Sequence, residues 1–534
     1  MISIAAALVT GLLAATAFPP WEQWGAAWIA WVPLLLVLMR NPPPTAFRLG
    51  CLAGAVFWLC SIFWLTEVTW GGWVLLSLYC SLFFGAFAAL AAWLFQYGGM
   101  ERFRFRLVYM ALLPLVWAGL EFVRATLLTG FAWNPLGASQ YNRIPVIQIS
   151  AWTGVYGVSA LVILINVAVA LTLQRYIREG LRGRRAWHPE LMLGFLVLVL
   201  AVTAGRQRLR RTEADDASTL RTAVIQPNIP QYAKWDDDFV DMIYERLDSL
   251  TRMAMGAGNP DLVIWPETAV PDYVRQSRRS YDLVRNLTAE GAPLLVGSMD
   301  IEWLDEGIPR YYNSSLLFDR SGQLRDSYDK QHLVLFGEYV PLQRYFPFLH
   351  AMTPIEASFD HGTRSGVMTV PDTNQSFAVL ICFEDTVAKL ARRAVRDGAR
   401  LLVNQTNVAW FRESPAAWQH MTHSVFRAVE NGVPVVRAAN TGVSCRIDRH
   451  GRRSSQDTLS DADGNTFIKG FQIMEHTLPG PDAPLTFYTR FGDLFGWTGV
   501  VITGMLLLTA WRRGRGSVIS PISPAPQNPP QQGE

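Results

Sequence analysis

Eight apolar runs restrict this chain more than any other feature of it. Seven lie in its first 204 residues, roughly at 2–18, 25–39, 50–65, 73–95, 107–122, 155–173 and 191–204, and an eighth lies at 494–511. A helix needs about 20 apolar residues to cross a bilayer. Several runs are shorter, so their ends are soft by a few residues, but their number predicts an α-helical membrane bundle of about eight spans. Composition agrees, since half of the 534 residues are hydrophobic, 20 are Trp and the mean hydropathy is +0.16.

Charge is divided along the chain. Residues 1–211 and 491–534 carry 19 Lys/Arg against 8 Asp/Glu, whereas 212–490 carry 28 against 36. The basic residues sit between apolar runs, which points to membrane topology rather than to a nucleic-acid-binding tail. Arg40 and Arg48, then Arg102, Arg104 and Arg106, then Arg175, Arg178, Arg182, Arg184 and Arg185, and finally Arg512, Arg513 and Arg515 mark alternate connectors. The positive-inside rule places these connectors and both termini in the cytoplasm, with 205–490 on the far side. Arg206, Arg208, Arg210 and Arg211 fall on that outer side and run against the rule. Met1-Ile2-Ser3 lacks a basic n-region, so the first run is expected to be a retained span rather than a signal peptide.

Residues 205–490 contain no spanning run and are long enough to build their own core. Short apolar, β-branched segments recur there: TAVIQ (222–226), LVIW (262–265), PLLVGS (293–298), SLLF (315–318), AVLIC (378–382), LLVNQ (401–405) and PVVRA (434–438). Helical periodicity covers 239–255, 387–397 and 416–430, so a layered α/β domain is predicted. The expected organisation is a membrane domain at 1–204, this outer domain at 205–490, a final span at 491–512 and a Pro/Gln/Ser-rich disordered tail at 513–534. Of five cysteines only Cys382 and Cys445 lie in the outer domain, and there is no CxxC, so neither a structural zinc site nor a thioredoxin motif is offered. A Cys382–Cys445 disulfide is the unreactive alternative.

Three polar residues stand at or beyond the ends of apolar segments. Glu267 follows LVIW in VIWPETAVP, Lys330 precedes the apolar turn in DSYDKQHLVLFGEYVPL with Glu338 eight residues on, and Cys382 closes AVLIC. Strand ends in α/β sheets gather at one edge, where sites form. Together the three make chemical sense: a carboxylate takes the thiol proton, the thiolate attacks a carbonyl, and an ammonium stabilises the oxyanion. Singly, each has a plainer explanation, as a core thiol, a turn carboxylate or a solvated surface lysine. The acids that follow the thiol, Glu384 and Asp385, would disfavour a thiolate. They are expected instead to cap the helix at 387–397 and to brace the site.

These contexts resemble the nitrilase superfamily, whose catalytic Glu, Lys and Cys occur in this order. The whole layout resembles the bacterial apolipoprotein N-acyltransferase family, on QPNIPQYAKW (226–235), WPETAVP (265–271), YDKQHLV with FGEYVPL (328–342), ICFED (381–385) and NVAWF followed by WQH (407–420). The resemblance implies an αββα sandwich carrying Glu267 as general base, Lys330 as oxyanion partner and Cys382 as nucleophile, with Glu338 and Glu384 in support. It also implies that Gln231, Trp235 and Trp410 lie on loops that gate or contact lipid. Phe383 stands where the family often has Tyr, and Val408 where an acidic residue commonly follows the Asn. The implied reaction is ping-pong transfer of an acyl chain from a phospholipid to a diacylated lipoprotein in the inner membrane, with no cofactor or metal, no nucleic acid, and a monomeric enzyme. Trp21, Trp24, Trp70, Trp73, Trp133 and Trp152 are expected in interfacial belts.

Other classes stay open at this level. A membrane-tethered amidase or nitrile hydrolase would use the same triad but deliver water to the thioester. A Cys–His hydrolase would pair Cys382 with His332, His420 or His423, and His420 with His423 is also a weak metal motif. A transporter would require charge within the spans, whereas Glu67 and Glu121 fall near span ends.

Overall fold

The computed structural model describes residues 1–99, 101–179, 188–211, 216–303, 307, 309–340 and 358–516. The predicted tail from 517 onward, Arg182, Arg184 and Arg185, and the last two residues of FGEYVPL lie outside them.

The first 211 residues form α1 (Ile2–Thr16), α2 (Val32–Leu38), α3 (Pro43–Ser61), α4 (Trp70–Gly98), α5 (Phe103–Thr126), the short α6 (Ile144–Ile147) and α7 (Ser150–Thr153), α8 (Val155–Glu179) and α9 (Pro189–Arg211). Helices α3, α4, α5, α8 and α9, with the last described helix, are long and apolar enough to cross a membrane, six among the described residues. The first two runs give shorter helical pieces, because α1 stops ahead of Pro19-Pro20 and the second run is split into a 3₁₀ turn (Trp24–Trp28) and α2, with Pro33 at its start. Buried rings of Trp31, Phe84, Phe87 and Trp117 fill the bundle centre, the Trp31 and Trp117 centroids being 4.3 Å apart.

The α/β region follows with β1 (Asp216–Gln226), α10 (Val240–Gly258), β2 (Leu262–Ile264), α11 (Arg278–Ala289), β3 (Leu294–Trp303), β4 (Pro309–Phe318), β5 (Leu324–Asp329), β6 (Val367–Thr369), β7 (Ser376–Ile381), α12 (Ala388–Arg396), β8 (Leu402–Thr406), α13 (Ala416–Asn431), β9 (Val435–Ala439), β10 (Cys445–Ile447) and β11 (Gly470–Pro479). Then α14 (Phe487–Phe491) leads into α15 (Leu494–Gly516), the sixth long helix. Gly119 of α5 and Gly499 of α15 let those two backbones touch, since a Cβ on Gly119 would stand 2.4 Å from the Gly499 carbonyl carbon.

Strands β11-β1-β2-β3-β4-β5 make one sheet and β10-β9-β8-β7-β6 the other. Period-two alternation assigns the faces. Leu220 and Val224 of β1 meet Phe377, Val379 and Ile381 of β7 between the sheets, while Ala223 and Ile225 face α10. On the other side, Ala378 and Leu380 of β7 face α12 and α13, whose apolar residues continue without a break into the membrane bundle. The product is the αββα sandwich, set with its α12/α13 layer against the membrane helices.

Polar contacts fix that seam. The Gln419 side chain of α13 accepts the indole N–H of Trp64 (2.9 Å) and Trp133 (2.8 Å) and donates to the carbonyls of Pro19 and Ser61 (both 2.9 Å), which uses its full hydrogen-bonding capacity. Glu430 accepts Val155 N–H at the start of α8 (2.9 Å), and Arg208 donates to Gln148, which itself donates to the His450 carbonyl. Thus Arg208, one of the arginines that oppose the positive-inside pattern, has a structural task at the seam. Replacing Gln419 with Leu strands two buried N–H groups and two carbonyls. The expected cost is on the order of 3 kcal/mol, to be read as a lowered thermal midpoint of the detergent-solubilised protein.

Candidate active site

Glu267, Lys330 and Cys382 leave the C-terminal ends of β2, β5 and β7, and the structure brings them together with Glu338. Lys330 Nζ donates to Glu338 Oε1 (2.8 Å) and lies 3.4 Å from Glu267 Oε1, and its side chain is buried. Asn313 Nδ2 of β4 bridges the two carboxylates, 2.8 Å from Glu267 Oε1 and 3.0 Å from Glu338 Oε1. Glu267 Oε2 accepts the Asn407 N–H (2.8 Å), and Glu338 Oε2 the Val334 N–H (2.9 Å). The Cys382 thiol accepts from Thr406 Oγ1 at 3.4 Å and lies within the field of Glu267.

Local backbone geometry aims these groups. Cys382 has φ +50° and Thr268, next to Glu267, has φ +42°, values that non-glycine residues adopt at a cost and that cluster where a side chain must be presented. The Glu267 turn also lies tight against β3. A Cβ at Gly297 would stand 2.1 Å from the Pro266 carbonyl oxygen, so only glycine fits there.

Electrostatics set the resting proton positions. Burial and the neighbouring Glu267 push the Cys382 thiol up to about 12. Burial also works to raise Glu267, but Lys330, the hydrogen bond from Asn313, the Cys382 thiol and Lys234 outweigh it and hold the carboxyl below its usual range. Lys330 is opposed by burial yet raised overall by Glu338 and Glu267. The site therefore rests as thiol, carboxylate and ammonium. A free thiolate made by proton transfer to Glu267 is disfavoured at rest, so the arrangement suits transfer of the proton as the sulfur attacks.

Glu384 and Asp385 are both paired, and neither faces the sulfur unpartnered. They do not cap a following helix, which is a correction: Cys382–Thr386 form a 3₁₀ turn, and α12 begins at Ala388 with no side-chain cap. Glu384 instead accepts the N–H groups of Gln331 (2.7 Å), His332 (3.0 Å) and Ile381 (2.8 Å) and the Tyr328 hydroxyl, tying the Lys330 loop to the cysteine turn. Burial pushes it up to about 7 against those donors. Asp385 is held far below the usual range, with burial overcome by His420 and Arg437, and it bonds His420 Nε2 (2.8 Å), Ser424 and Arg437.

The histidines are placed as scaffolding. His420 Nε2 meets the Cys382 carbonyl oxygen (3.2 Å) rather than its sulfur. Burial and the positive charges of Lys389 and Lys330 press His332 down to about 4, and its ring stacks on Phe383. Burial likewise lowers His423 to about 3. Among the described residues no three His, Cys, Asp or Glu side chains are grouped to hold a metal. All five cysteines are free, so Cys382 and Cys445 are not joined.

The remaining expected site residues divide. Gln231 reaches the site, accepting from Asn407 Nδ2 (3.0 Å), while Trp235 and Trp410 are half-exposed on flanking loops. The Trp410 loop is tied to the membrane part by Arg412 with Glu67 (3.1 Å) and by Phe411 against Trp64. Trp133 is not a belt residue. It is buried, its ring parallel to that of Phe383 at 6.1 Å, so a loop between membrane helices supplies a wall of the site. Phe383 thereby has a stacking role that needs no hydroxyl, and Val408 is simply buried. Asn313, Lys234, Thr406 and Asn407 were not singled out from sequence. The Asn after LLVNQT and the Lys of IPQYAKW were visible in the quoted motifs, whereas nothing local distinguishes Asn313.

Comparison with known proteins agrees with this geometry. Residues 10–168 match the family described as apolipoprotein N-acyltransferase N-terminal domain, and 221–464 match the carbon-nitrogen hydrolase family. A protein of Geobacter metallireducens named apolipoprotein N-acyltransferase is 37% identical over 520 residues, 95% of each chain. Proteins of the same name from Brucella suis and Chlorobaculum tepidum are each 30% identical, covering 95% of this chain and 94% and 96% of their own. Among solved structures, Nit3 of Saccharomyces cerevisiae, a nitrilase-superfamily member, is 20% identical and aligns with 49% of this chain and 90% of its own at a TM-score of 0.35. Membrane helices, a carbon-nitrogen hydrolase sandwich and full-length relatives converge on one assignment: this chain belongs to the apolipoprotein N-acyltransferase family.

Proposed function

We propose that this chain takes an acyl chain from a membrane phospholipid onto Cys382 and passes it to the α-amino group of the N-terminal diacylglyceryl cysteine of a lipoprotein. In the first half, Glu267 takes the thiol proton as sulfur attacks the ester carbonyl, and Lys330 faces the developing oxyanion. Collapse breaks the ester C–O bond, Glu267 returns the proton to the departing oxygen, and a lysophospholipid leaves a thioester behind. In the second half, the amine attacks the thioester, Glu267 takes the ammonium proton that forms, and it returns that proton to the cysteine sulfur as the amide is made. Glu338 and Glu384 hold Lys330 and the cysteine turn in register.

The observation that carries this reading is the placement of the Cys382 turn against the membrane helices, where Trp133 stacks on Phe383 and is held by Gln419. A site that draws both substrates from a bilayer needs that adjacency, because acyl chains stay in the lipid. We further propose the bacterial inner membrane as location, with both termini cytoplasmic, the sandwich (205–490) on the periplasmic face, and 1–204 and 491–512 as the membrane part. The test supplies acyl-labelled phospholipid together with a diacylated lipopeptide bearing a free α-amine. Label in amide linkage to the lipopeptide is expected. Label released only as free fatty acid would instead favour a membrane-tethered amidase-type hydrolase.

A further inference from the structure

The site contains a second buried lysine to which the reaction above gives no task. Lys234 ends the 3₁₀ turn Gln231–Ala233, and its Nζ donates to Thr268 Oγ1 (2.6 Å) and to the main-chain oxygen of Glu267 (3.2 Å). Gln231, three residues earlier, is bonded to Asn407, whose N–H holds Glu267 Oε2. The loop at 230–235 thus clamps both sides of the Glu267 turn with two inward polar side chains, and it turns Tyr232 and Trp235 outward.

Charge balance gives the clamp a second meaning. Glu267 and Glu338 are two buried carboxylates, and Lys330, bonded to both, offers one compensating charge. Among Glu267, Glu338 and Lys330, with a neutral thiol, one negative charge is left for Lys234 to offset, and an uncompensated buried charge is costly. Glu384 is met separately by three main-chain N–H groups. The hydrogen bonds of Lys234 go to neutral oxygens, so its charge is not spent in a direct ion pair, yet it lies within the field of Glu267 and Cys382.

We infer that Lys234 is a positioning residue for the chemistry at Cys382: from the loop lying over the Glu267–Thr268 turn, its ammonium locks that strained turn and supplies the second positive charge the paired carboxylates require. The inference rests on the acyl-transfer reading and adds a residue to it. The site is then charge-balanced only while this loop is seated, which links the loop to the reactivity of the thiol.

The titratable groups facing Lys234 are Glu267 from the β2 end and Cys382 from the β7 end, with Lys330 and Glu338 beyond Glu267 and the Trp235 ring beside it at 5.9 Å. Burial lowers Lys234 to about 8 in spite of the two acidic neighbours. The protonated form is the working one, so its contribution is present below that value and lost as pH rises through it.

The test measures single-turnover thioester formation by the full chain in vesicles containing acyl-labelled phosphatidylethanolamine, across pH 5.5 to 10. Wild type is expected to slow above about pH 8. Lys234→Met should be slower by about 100-fold at pH 7 and should lack that alkaline limb, whereas Lys234→Arg should recover most of the rate with the limb moved to higher pH. Glu384 titrates in a nearby range but is present in all three proteins, and thermal midpoints report whether each variant folds. A Lys234→Met rate within threefold of wild type, or a limb unchanged in either variant, would overturn the inference while leaving acyl transfer standing. Absence of any thioester in wild type would overturn the functional reading and this inference with it.

Discussion

Replacing Lys330 with Met is expected to reduce thioester formation by at least about 1,000-fold. Methionine keeps most of the volume but removes the charge that Glu267 and Glu338 share, and Lys330 is 1% exposed, so no water can stand in for it. Breaking a buried ion pair from one side costs about 3–5 kcal/mol, and loss of an oxyanion partner costs a further factor of about 100 or more. The two carboxylates would respond by holding a proton between them, which also removes the base. The measurement is the rate of label transfer to the protein, with a thermal midpoint to show that the variant folds. Normal acylation would exclude Lys330 from the chemistry.

Glu267→Gln is expected to be nearly as damaging, by about 100- to 10,000-fold, for a different reason. Its Oε1 position accepts from Asn313 and lies near Lys330, and its Oε2 position accepts from Asn407. The amide oxygen can keep the Asn313 and Lys330 contacts or the Asn407 contact but not all three, and the amide cannot take a proton from a thiol that burial keeps protonated. The defect should therefore fall on the acylation step and should not be relieved by raising pH within the range the protein tolerates. In wild type the carboxyl sits below its usual range, so activity that depends on its ionised form should persist through the ordinary carboxylate range and fall only at lower pH. A Glu267→Gln protein that acylates normally would assign the base elsewhere.

Much of the fold could be read directly. All seven β segments named from sequence are strands, since β-branched apolar runs bounded by polar turns report buried strands well, and three helical periodicities mark α10, α12 and α13. Strands β5 and β11 escaped because they lie at sheet edges, where LRDSYD and GFQIMEHTLP carry polar residues that a central strand would not. Among helices, α11 was missed because RRSYDLVRNLTA buries only a narrow stripe. Apolar length alone overstated the first two membrane runs, where prolines end or split the helix.

At the site, Glu267, Lys330 and Cys382 were legible because each stands in an extended motif. Their partners were not, because a hydrogen bond such as Asn313 to Glu267 joins residues 46 apart and depends on β4 lying beside β3. Trp133 shows the same limit across the seam. As a tryptophan near a span end it suits an interfacial belt, and only the packing of α13 on the bundle places it against Phe383. The partners of Glu384 and Asp385 are loop amides and the His420–Arg437 pair rather than the helix N-terminus expected from their place in the chain.

The most direct test of the central claim is the covalent state of Cys382 itself. Wild type and Cys382→Ser, each in vesicles containing phospholipid labelled in the acyl chain, are digested and the peptide carrying residue 382 is examined by mass. The expected result is an acyl adduct on that peptide in wild type, released by hydroxylamine at neutral pH, and no hydroxylamine-labile adduct in Cys382→Ser. Equal labile labelling of both proteins, or transfer to a lipopeptide amine that survives the substitution, would contradict a cysteine thioester intermediate.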